Sequence, residues 1–106
     1  MKVKKYNKLI RDNIPEIIEK SGKEAIVKKL TDEEYLEALN LKLWEELQEY
    51  IESGEVEELA DIVEVIYGIL HYKGVSINEF ESIRQNKAEE RGAFRERLML
   101  SEVRSD

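Results

Sequence analysis

The sequence contains no cysteine, and only one histidine (His71), one proline (Pro15) and one tryptophan (Trp44). Without thiols there is neither a disulfide framework nor a thiolate metal centre. A lone imidazole excludes the usual histidine-rich zinc site. The five glycines include no Gly-x-x-x-x-Gly-Lys-Ser/Thr loop, so P-loop nucleotide chemistry is excluded. Long apolar runs are missing too, and none approaches the roughly 20 residues that cross a bilayer. The opening MKVKKYNKLIRD is basic but has no apolar core behind it, unlike a signal peptide. The expectation is a cytoplasmic protein with no membrane partner. Positive charge is in deficit, with 17 Lys and Arg against 24 Asp and Glu, a net charge of −7. General binding to nucleic acid needs a basic surface that displaces counterions, so that partner is excluded. A phosphorylated small molecule is not, because a divalent cation reverses the local sign of an acidic site.

What the chain does have is helical patterning. Its 106 residues, 42% apolar and 39% charged, suit one domain with a modest core and strongly solvated helix faces. Asp12 and Asn13 are placed to cap a short helix with Pro15 in its first turn, running to about Lys20. Ser21–Gly22 ends it, and the weak alternation over Ala25–Leu30 points to one short strand. Thr31 followed by Glu34 is a capping box that opens a long helix near Asp32. Leu36, Leu39, Leu43, Leu47 and Tyr50 then form an apolar stripe up to the break at Ser53–Gly54. A third helix runs from about Glu55 to Lys73 and stops at Gly74. Ser76 and Glu79 form a second box, opening a fourth helix that reaches about Glu90 before Gly92. The polar remainder to Asp106 is expected to fray. The fold expected is all-α: four helices around a central antiparallel hairpin. Its third helix is apolar over well over half its circumference, so it is either central or covered by a second copy of the chain.

The chemistry starts with Glu46 and Glu49 in WEELQE and Glu58 and Asp61 in EELAD. Each pair is spaced i, i+3, which puts both carboxylates on one side of a helix. Acids are so frequent here that one such pair means little, since most merely decorate solvated faces. The mirror arrangement about Ser53–Gly54 means more: folded back, Glu46 lies level with Asp61 and Glu49 with Glu58. Glu58 also falls within the apolar arc of Ile62, Val65 and Ile69, whereas Glu57 and Glu64 point the other way. Two carboxylates 4 Å apart repel by roughly 1 kcal/mol in water and about 4 at an effective dielectric of 20. A compensating cation is therefore expected, and all-oxygen ligands suit magnesium, or manganese, with phosphates completing the coordination.

Arg84, Lys87 and Arg91 share one face of the fourth helix, which Arg95 extends if the helix continues past Gly92. Spacing alone favours surface pairing with Glu81, Glu90 or Glu96. Lys8 and Arg11 belong to a basic N-terminal stretch, but the apolar Leu9, Ile10, Ile14, Ile17 and Ile18 around them favour docking over a loose tail. Trp44 and Tyr67 are candidate base-stacking groups for which core packing is the preferred use, and His71 reads as structural.

Across nearly its whole length the chain resembles the MazG-like all-α nucleotide pyrophosphohydrolases, in particular their small phosphoribosyl-ATP pyrophosphohydrolase-like branch. The resemblance is carried by YNKLIRDNIPEII, KLWEELQEY, EVEELADIVEVI and KAEERGAF. It implies that Glu46, Glu49, Glu58 and Asp61 hold magnesium. It also makes Lys8, Arg11, Lys87 and Arg91 phosphate contacts, reversing the preference for surface pairing. Two departures stand out: the link between the acidic pairs is very short, and the closing motif reads RGAF where a second glycine is common. The implied reaction splits a nucleoside triphosphate, ordinary or damaged, into monophosphate and pyrophosphate, with phosphoribosyl-ATP as an alternative substrate. The implied assembly is a homodimer or homotetramer. A non-catalytic nucleotide-binding or scaffold module is the competing reading.

Overall fold

Four helices and no strand make up the regular structure: α1 (Ile14–Lys20), α2 (Asp32–Ser53), α3 (Val56–Lys73) and α4 (Ile77–Arg91). The computed structural model describes all residues 1–106, which form two compact units, Met1–Gly74 and Val75–Asp106. No helix is long and apolar enough to cross a membrane.

In the first unit, helix boundaries follow the expected signals closely. Thr31 Oγ1 accepts the Glu34 N–H at 3.3 Å, and the Thr31 N–H donates to Glu34 Oε1 at 3.0 Å, so the capping box that opens α2 is complete. Gly54 ends α2 in the left-handed region at φ 67°, its N–H donating to the Tyr50 carbonyl at 2.7 Å. A side chain there would be strained, so glycine lets α2 and α3 be joined by only two residues, Gly54 and Glu55. At α1, Asn13 has helical backbone angles and makes no side-chain cap bond, so the expected cap is not used, although Pro15 occupies the first turn.

The short strand expected over Ala25–Leu30 does not form. A strand needs a neighbour to take its backbone hydrogen bonds. Every other regular element here is a helix, and Ile26 and Val27 are exposed instead of packing on one face.

α2 and α3 pack as an antiparallel hairpin, their contacts moving down one helix as they move up the other. Tyr35 meets Tyr72 edge to face, with ring centroids 6.0 Å apart. One step further in, Leu39 lies over Gly68, where an added Cβ would come within 3.0 Å of Leu39 Cδ2. Glycine thus sets the spacing of the hairpin at this level. Leu39 and Leu70 are the only buried apolar residues, so the single chain has a small core.

The broad apolar surface of α3 is only partly used. Val56, Leu59 and Val63 share one face and remain exposed, so α3 is not central within the single chain. Trp44 is also exposed, contrary to its expected core use, alongside Leu41 and Ile51 on a second apolar face of α2. The reason is helix phase: at about 100° per residue, Trp44 is turned well away from the Leu39 side that meets α3.

The second unit is built on α4. Ser76 Oγ accepts the Glu79 N–H at 3.1 Å, supplying one half of the expected box. α4 ends at Arg91, so Arg95 lies beyond the helix and does not extend its basic face. Residues 92–106 carry no helix, and Phe94, Leu98 and Met99 are exposed.

The Leu39–Gly68 contact generates a direct test. Gly68→Val should cost about 1–3 kcal/mol in chemical denaturation through overpacking. Combined with Leu39→Ala, which opens space at the same point, the total loss should fall short of the sum of the two. Strict additivity would mean that these side chains do not meet.

Candidate functional site

The hairpin brings three of the four expected carboxylates to one place. Glu46 on α2 and Glu58 and Asp61 on α3 each offer an oxygen, and these oxygens all lie within 4.8 Å of one another. The antiparallel fold about Gly54 causes this convergence of residues as far as fifteen positions apart in sequence. Glu49 stands at the rim of the cluster. It is exposed, yet close enough to influence the protonation of both Glu46 and Glu58.

The carboxylates differ in environment. Glu46 is buried, with 6% of its surface exposed. Its Oε1 pairs with Lys42 Nζ at 3.2 Å, while its Oε2 is buried with no hydrogen-bond partner. Burial raises the pKa of this carboxyl; Lys42 opposes that shift and Glu49 adds to it. Glu58 is also shifted upward, by desolvation first and then by the negative charges of Asp61 and Glu46. A buried oxygen without a donor is costly, by about 1–3 kcal/mol or more when charged. A proton or a cation relieves that cost. Three converging carboxylates, one of them with a buried, unpartnered oxygen, form a donor set suited to a hard divalent cation.

The expected basic residues divide between the units. Arg11 reaches the cluster, its Nη2 donating to Asp61 Oδ1 at 2.6 Å. Lys8, from the same segment, lies 3.8 Å from Glu45 and thus sits on the flank of α2. Half-burial of Leu9, Ile10, Ile14 and Ile18 is consistent with this segment docking, whereas Ile17 is exposed. Lys87 and Arg91 belong to α4 in the second unit, where both are exposed and neither pairs with Glu81, Glu90 or Glu96. Of the surface pairing anticipated for this helix only Arg84 makes its part, its Nε donating to both Glu81 oxygens at 3.0 Å. His71 is exposed in the last turn of α3.

Comparison with known proteins adds little beyond this geometry. No family model matches the chain. An uncharacterized protein of Mycolicibacterium smegmatis is 49% identical over 41 residues, covering 39% of this chain and 42% of its own length. The match thus spans well under half of that relative. No solved structure matches.

Lys42 was not singled out from the sequence, although its i, i+4 spacing to Glu46 was readable. The apolar face of Leu41, Trp44 and Ile51 was missed as well. With Leu47, Gln48 and Glu52, the last two of these line a shallow depression of about 340 Å³ that contains none of the clustered acids.

The raised Glu46 pKa has a signed consequence. The folded chain holds this proton at pH values where the unfolded chain has released it. Glu46 therefore lowers stability progressively as pH rises from the ordinary carboxylate value through its own higher one. In chelator, Glu46→Gln should melt above wild type at pH 7, and this advantage should shrink towards pH 4.5. A variant that melts lower than wild type throughout would show that the buried charge is already compensated.

Proposed function

We infer that the chain is a MazG-like, magnesium-dependent pyrophosphohydrolase acting on a nucleoside triphosphate, ordinary or damaged. The observation that carries this reading is the meeting of Glu46, Glu58 and Asp61 between two helices, with one Glu46 oxygen buried and unpartnered. The sequence resemblance described above supports it independently.

In this reading Glu46, Glu58 and Asp61 hold the ion, which neutralises phosphate charge and polarises a phosphoryl oxygen when bound. Glu49, exposed at the rim, orients a water and takes its proton as the water attacks the α-phosphorus. The bond from that phosphorus to its bridging oxygen breaks, releasing pyrophosphate and leaving a nucleoside monophosphate. Arg11 and Lys8, in the same unit as the acids, supply charge to the outer phosphate oxygens. Positioning and neutralisation provide most of the acceleration.

The working form in this reading is a homodimer or homotetramer. Its support is the exposed apolar residues of the hairpin: Leu41, Trp44 and Ile51 on α2, and Val56, Leu59 and Val63 on α3. Large apolar side chains left exposed on two helices give association something to bury.

Two measurements follow. Purified protein should release pyrophosphate from at least one member of a panel of ribo- and deoxynucleoside triphosphates and phosphoribosyl-ATP with magnesium, and from none with chelator. Glu58→Gln should abolish release while keeping the helical circular dichroism. Activity confined to phosphoribosyl-ATP would reassign the substrate, and silence from folded protein would favour a scaffold. Separately, light scattering should give wild type at least twice the chain mass. Ile51→Glu, changing a residue exposed in the single chain, should reduce that mass, and a monomeric wild type would sink the oligomer reading.

A further inference from the structure

Two cationic side chains touch the acid cluster, and they are held differently. Lys42 is tied to Glu46 by helix geometry, four residues earlier on α2, and its side chain is largely buried. Arg11 comes from outside the hairpin, on a stretch with no helical backbone ahead of α1. Its side chain is 55% exposed and that of its partner Asp61 is 38% exposed. Exposed pairs of this kind are held weakly and exchange readily. Asp61 also contributes one of the three converging oxygens. A divalent cation entering among them carries twice the charge of a guanidinium and competes for the same carboxylate.

We propose that Arg11 is a displaceable internal counter-ion: it pairs with Asp61, and a metal entering the cluster would release it from that carboxylate to phosphate oxygens. The inference rests on the metal-site reading above and deepens it. Arg11 neutralises part of the cluster's charge. The same pair keeps the guanidinium from gripping a phosphate before the metal arrives. Metal and anion binding are then coupled, and linkage makes the coupling reciprocal: each ligand tightens the other. Arg11 serves here as a positioning residue whose partner changes with the state of the site.

The test is calorimetric titration of wild type, Arg11→Gln, Arg11→Lys and Lys5→Gln. Each is titrated first with magnesium or manganese alone, then, metal-loaded, with inorganic pyrophosphate. Arg11→Gln should bind the metal alone about two- to fivefold more tightly. It should bind pyrophosphate at least about tenfold more weakly. Arg11→Lys, which keeps the charge but loses the fork, should shift both in the same directions by less, and serves if the glutamine variant fails to fold. Lys5→Gln, removing the same charge from the same stretch, should move neither appreciably. Unchanged or weaker metal binding in Arg11→Gln overturns the displacement proposal while leaving the metal site standing. Equal tightening in Lys5→Gln overturns it too, because net charge would then suffice. If wild type binds no metal, the metal-site reading and this proposal fall together.

Discussion

Burying the Glu46 carboxylate in the seam between α2 and α3 shapes most of what surrounds it. Taking an ion out of water costs several kcal/mol even after relaxation, and one lysine repays that only in part. Lys42 satisfies Oε1 and leaves Oε2 with no donor. Glu58 and Asp61 then add negative charge from the facing helix. In a hairpin whose buried apolar residues are only Leu39 and Leu70, such an arrangement is a large liability. It is intelligible as a site whose electrostatics are completed from outside, by a proton at low pH or by a cation at neutral pH.

The backbone serves this arrangement. The two-residue link at Gly54–Glu55 fixes which residues face each other across the hairpin. Gly68 lets α2 and α3 approach where Leu39 packs, and the Tyr35–Tyr72 contact closes the far end. A hairpin held at these levels delivers Glu46 to Asp61 with little freedom to separate. The same economy leaves apolar faces of α2 and α3 exposed in the single chain, and the proposed association of chains rests on that exposure.

Much of this was legible in the residues. Thr31 and Glu34 announced the start of α2, and Gly54 and Gly74 announced the ends of α2 and α3, because capping is local chemistry. The meeting of Glu46 with Glu58 and Asp61 was readable because helix phase and a short turn determine it. The strand over Ala25–Leu30 failed because alternation describes only one side of a pairing, and no partner strand exists. Trp44 was misplaced because residue type argued for the core while helix phase argued against it. The Arg11–Asp61 pair joins residues 50 positions apart through an irregular segment, and no periodicity reports such a contact.

The central claim is that the seam between α2 and α3 is a divalent-cation site. The most direct measurement is a manganese titration of the folded, metal-stripped protein followed by electron paramagnetic resonance. Saturable binding in wild type, lost in Asp61→Asn with helicity retained, is the result expected. A wild type that leaves all the manganese free in solution would contradict the account.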